Sequence, residues 1–107
     1  CGNWCRDCRV IRNMSIFYAF AEAMISYAEK KGFSKLNARL AVAQTMKGSA
    51  EMIQKHGDPV SLIKQVASPN GTTEAGLKKL DELNIKKSIM NVLIATEQRS
   101  IELSRGD

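Results

Sequence analysis

The run Ser68-Pro69-Asn70-Gly71-Thr72-Thr73-Glu74-Ala75-Gly76-Leu77 is where residue types and spacing bear most directly on chemistry. Ser68 precedes a proline, which drives its backbone extended and ends any helix before it. Asn70 and Gly71 both tolerate positive φ and make a turn dipeptide. Thr72 and Thr73 offer N-cap hydroxyls, and Glu74 places a negative charge in the first turn of the helix that follows. A tight loop of this kind presents several backbone N–H groups at a helix N-terminus. Such a place holds a small anion, carboxylate or phosphate, without a basic side chain. The same residues also make an ordinary capped connection between two helices, and residue types alone favour that plainer reading.

Other candidate chemistry is sparse. Cys1, Cys5 and Cys8 stand in a C-x3-C-x2-C spacing beside the single tryptophan, Trp4. That spacing resembles the iron–sulfur motif of radical-SAM enzymes, but those enzymes need a large barrel to carry cluster and cofactor, and 107 residues of helical pattern do not supply one. Cys5-x2-Cys8 is half of a zinc site, and no second cysteine pair completes it. No metal is therefore expected, and residues 1–13 are expected to be a disordered leader unlike the rest of the chain. The one histidine, His56, falls at the end of a helical pattern, where it serves as a C-terminal helix charge. Glu22 and Glu97, inside apolar helices, are expected at the surface or at an interface, and the Thr96 hydroxyl on its own helix backbone. There is no glycine-rich nucleotide loop, no nucleophile–base triad and no histidine pair, so no self-contained enzyme can be assembled.

The elements that must position these groups all read as helices. Apolar residues are 44% and charged residues 25%, ordinary values for one globular domain. The net charge of +5 is dispersed over separate pairs, Lys30-Lys31, Lys78-Lys79 and Lys86-Lys87, so no basic stripe suggests a nucleic-acid partner. No apolar run is long enough to span a membrane and no signal-peptide layout is present, so a cytoplasmic protein is expected. From Met14 to Lys31, Ile16, Phe20, Met24 and Tyr27 recur at helical spacing, with Phe17, Ala21, Ile25 and Ala28 as a second apolar face. Gly32 stops this helix. Ser34 caps a second helix running to about His56, whose core face is predicted as Leu36, Leu40, Ala43, Met46, Ala50 and Ile53. Ala38, Ala41, Gly48 and Ser49 keep its other surfaces small enough for close approach by a neighbouring helix. Asp58 caps, and Pro59 begins, a short third helix to Ala67. A fourth spans about Thr73–Leu83, with Gly76 inside it because close packing requires it, and a fifth runs from Ile85 to Ser104. The fifth carries Ile89, Val92, Leu93, Thr96, Ser100 and Leu103, widened by Met90, Ile94 and Ile101. No segment alternates with period two, so an all-α domain of about five helices over residues 14–107 is expected. Helices this apolar around their circumference imply burial against a second copy.

The run from Ser68 to Leu77 resembles the S-P-G-G-T-T-x-x-G-L signature of the pyrroline-5-carboxylate reductase family. Its surroundings agree in order and spacing: Glu22-Ala23-Met24, Ala43-Gln44-Thr45 with Gly48-Ser49-Ala50, Asp58-Pro59, Leu62, Val66, and Ala95-Thr96-Glu97 with Arg99. The likeness covers about residues 15–104 and matches the family's C-terminal helical dimerisation domain. It implies two such domains interleaved in a homodimer or higher oligomer. It further implies a full-length enzyme that reduces 1-pyrroline-5-carboxylate to proline with NADPH or NADH, the last step of proline biosynthesis. Backbone N–H groups around Ser68, Gly71, Thr72 and Thr73 would hold the substrate carboxylate, with the Thr73 hydroxyl on the ring nitrogen as the catalytic contact.

Two departures limit the carry-over. The family's nucleotide-binding domain has no counterpart in these residues, so no cofactor site and no turnover by this chain alone are expected. The family's S-G-S-G-P-A-Y-like opening should fall near Val10 to Ile16, where this chain reads Val-Ile-Arg-Asn-Met-Ser-Ile. Asn70 in place of the usual first glycine is the milder change, since asparagine also tolerates positive φ. The alternative is a non-enzymatic helical interaction module that keeps the fold without the chemistry.

Overall fold

A computed structural model describes residues 10–67 and 71–104. Five helices follow one another: α1 (Ser15–Lys30), α2 (Lys35–His56), α3 (Pro59–Val66), α4 (Thr72–Glu82) and α5 (Ile85–Ser104). The described residues contain no strand, and the all-α expectation holds. The described residues divide into two compact units, one of residues 14–67 and the other of residues 71–104 together with residues 10–13.

In the first unit the boundaries follow from local chemistry. Gly32 sits at φ 101°, and α1 closes with Gly32 N–H donating to the Glu29 carbonyl (3.0 Å) and Phe33 N–H to that of Ala28 (3.1 Å). This pair of reversed bonds satisfies carbonyls that the last turn leaves over, and it favours a residue without a Cβ at the left-handed position. Ser34 then caps α2, its Oγ accepting from Asn37 N–H at 3.1 Å. Gly57, at φ 83°, ends α2 in a tight γ-turn in which Asp58 N–H donates to the His56 carbonyl (3.0 Å). Asp58 starts α3 directly afterwards. One of its carboxylate oxygens accepts from Val60 N–H and the other from the Ser61 hydroxyl, both at 3.1 Å, with Pro59 at the first helical position.

The packing side of α2 differs from the sequence expectation. α1 and α2 pack together, and the residues of α2 that disappear from solvent are Ala38 (0% exposed) and Val42. The stripe expected to form its core face stays largely open: Leu36 and Leu40 are 54% and 56% exposed, Ala43, Ala50 and Ile53 are also solvated, and only Met46 is half-buried. The reason is steric. Small side chains let two helix backbones come close, and the large residues are displaced to the opposite side. On α1 the half-buried apolar positions are Ile16, Ala21, Ile25 and Ala28, with Glu29 beside them, whereas Phe17, Phe20, Met24 and Tyr27 remain exposed. The second face, short of Phe17, thus carries the contact, and of the first face only Ile16 joins it. The Lys31 ammonium lies 5.6 Å from the centre of the Tyr27 ring.

In the second unit α4 and α5 pack together across a tight corner. Asn84 takes the left-handed conformation (φ 53°) just after α4, its N–H donating to the Asp81 carbonyl at 3.0 Å, and α5 begins at the next residue. The half-buried residues of α5 are Ile85, Ile89, Leu93, Thr96 and Ser100, one continuous stripe at helical spacing, with Ile101 beside its end. Met90, Val92, Ile94 and Leu103 are exposed, so the expected stripe is only partly covered. Val10, on a helical turn just before α1, is buried and belongs to this unit.

Candidate functional site

The site expected from sequence is built at the N-terminus of α4. Gly71 is its N-cap, in extended conformation (φ −91°, ψ 178°), and Thr72 is already the first helical residue. The expectation that Thr72 or Thr73 caps the helix is therefore corrected: no side chain caps α4. The backbone turns inward at Gly71, one residue earlier than the hydroxyls suggested. The first helical bond is Ala75 N–H to the Gly71 carbonyl, 3.2 Å. The N–H groups of Thr72 and Thr73 precede it, in the turn where a helix has no acceptor of its own to offer. Both threonines are exposed and Gly71 is half-buried, and Glu74 adds the one acidic side chain of the first turn. An anion placed here meets two backbone N–H groups and the positive end of an 11-residue helix. Gly71, Thr72 and Thr73 are thus brought together in one turn, while Ser68, Pro69 and Asn70 lie outside the described residues.

Other singled-out residues resolve simply. The Thr96 hydroxyl donates to the Val92 carbonyl of its own helix at 2.9 Å, as expected. Glu22 and Glu97 are exposed, and Glu22 accepts a hydrogen bond from the Ser26 hydroxyl at 3.1 Å. His56 is exposed in the last turn of α2. Cys1, Cys5 and Cys8 lie outside the described residues, and among those described no cluster of metal-binding side chains occurs. No described helix is long and apolar enough to cross a membrane. Gly76 breaks an expectation. A Cβ added there would meet nothing within 4 Å, so no packing among the described residues requires the glycine, and the same is true of Gly48 in α2.

Two concavities exist that sequence reasoning did not anticipate. In the first unit, Met52 and Ile53 of α2 face Pro59, Leu62, Ile63 and Val66 around a groove of about 290 Å3. In the second, Val10 and Asn13 meet Ala95, Thr96, Arg99 and Leu103 around a shallow space of about 550 Å3. The signal for both was in the sequence as apolar residues beyond the number one small unit can cover, but nothing in a periodicity says which of them will border a hollow.

Comparison with known proteins agrees with this architecture. Residues 13–103 match the family model described as pyrroline-5-carboxylate reductase dimerisation. Pyrroline-5-carboxylate reductase 2 of Bacillus subtilis is 38% identical over 87 residues, 80% of this chain and 31% of that protein. Pyrroline-5-carboxylate reductase 3 of Xenopus laevis is 37% identical over 89 residues, 82% of this chain and 32% of that protein. Among solved structures, a Plasmodium falciparum pyrroline carboxylate reductase with NADP bound superposes with a TM-score of 0.82 at 32% identity, covering 91% of this chain and 38% of that one. The chain thus spans about a third of the length of the curated relatives it matches. On sequence and fold together, the chain belongs to the pyrroline-5-carboxylate reductase family, of which it carries the dimerisation domain.

Proposed function

We propose that this chain is the self-associating, substrate-holding part of a reductase that converts 1-pyrroline-5-carboxylate to proline in the cytoplasm. The observation that carries the reading is the first turn of α4: an extended Gly71 followed by exposed Thr72 and Thr73 at a helix N-terminus. Ser68, Gly71, Thr72 and Thr73 hold the substrate carboxylate through backbone N–H groups, which favours the anion without a competing basic side chain. The Thr73 hydroxyl donates a hydrogen bond to the ring nitrogen and orients the imine. As the carbon gains hydride the C=N π pair moves onto nitrogen, which takes its proton from that hydroxyl, itself reprotonated from water. A nicotinamide cofactor, NADPH or NADH, supplies the hydride. The described residues are helical, without the strand-to-helix glycine turn that cradles a dinucleotide, so they do not fit that cofactor. It binds to a separate nucleotide-binding domain in this reading. A second copy covers the exposed apolar sides of α1, α2 and α5, by interleaving or by larger assembly.

The test is a reductase assay on this chain with and without a supplied dinucleotide-binding domain. Activity is expected only on combination, and Thr73→Val is expected to lower kcat about a hundredfold or more while leaving assembly intact. Turnover by the chain alone would overturn the division of labour. A proline titration that leaves the Gly71–Thr73 amide resonances unmoved would instead favour a helical interaction module without chemistry.

A further inference from the structure

We draw no further inference here: the strongest candidate, the apolar groove between α2 and α3 bordered by Met52, Ile53, Leu62 and Val66, carries nothing because nothing in the structure shows what covers it.

Discussion

The two units of this chain solve the same problem differently. In residues 14–67, α1 and α2 close on small side chains, and Ala38 and Val42 are buried between them. In the other unit Val10 is the one buried residue among those described, and α4 and α5 bury none of their own, with Ile85, Ile89 and Leu93 of α5 only half-buried. Both leave large apolar residues in water: Phe20, Met24, Leu36 and Leu40 in the first, Met90, Val92 and Ile94 in the second. A chain that stopped at its own contacts would gain little from burial against the entropy of ordering its backbone. The comparison therefore teaches that α1 and α2 carry a small nucleus, whereas α4 and α5 bury no residue of their own and depend more heavily on being covered. Self-association, which the dimerisation domain implies, is in this view a condition of folding and more than an addition to it.

The largest expected effect breaks the covering itself. Leu40→Asp places a charge on the open side of α2, at a side chain 56% exposed in the single chain. The dissociation constant of the assembly should rise at least about a hundredfold, about 2.8 kcal/mol, measured by sedimentation. Hydrogen exchange on the dissociated protein should then show α5 amides losing protection ahead of those of α2. Equal affinity for wild type and variant would remove the open stripe from the interface. Next in size is the closed side. Ala38 is fully buried where α1 and α2 approach, so Ala38→Leu overpacks that contact and should cost about 1–3 kcal/mol in urea unfolding. A neutral result would show that the first unit has no nucleus worth distinguishing from the second.

These two residues also mark what sequence could and could not tell. Caps and stops were legible because each rests on a local rule: Ser34, Gly32 and the Asp58-Pro59 pair act at the positions their chemistry dictates. The packing side of α2 was not, because periodicity reports which residues are apolar and not which neighbour claims them. Leu36, Leu40 and Ile53 make the more obvious stripe, yet Ala38 and Val42 make the intrachain contact. In a chain that associates with copies of itself, the stronger pattern belongs as readily to the partner as to the core. At the candidate site the helix start was legible to within a residue. Thr72 lies inside α4 because Gly71, with no Cβ to cap anything, takes the N-cap position. The role of Thr73 came from resemblance and not from spacing.

A smaller effect tests how open the second unit is. Glycine inside a helix costs about 0.5–1 kcal/mol relative to alanine, and a Cβ at Gly76 meets nothing within 4 Å. Gly76→Ala should therefore raise unfolding free energy by about that amount if α4 faces solvent there. A loss of stability or of assembly would put an atom from outside this chain against that turn, and the second unit would be covered on α4 as well as on α5.

The smallest effect decides whether charges make up for missing burial in residues 71–104. Lys79 lies 3.6 Å from Glu82, and Arg99 lies 3.1 Å from Glu102, each pair three residues apart on one helix. All four side chains are more than half exposed, so water and salt screen the attraction and the side chains lose entropy on pairing. A double-mutant cycle on Arg99 and Glu102 should return no more than about 0.5 kcal/mol, fading as salt is raised. The geometry of the two pairs argues the same way, since a pair held on one helix surface fixes no contact between α4 and α5. A coupling several times larger, persisting at high salt, would mean that the pair is desolvated in the assembled protein. The second unit would then be held by a covered ion pair, and the contrast between the two units would lie in the kind of contact that covering completes.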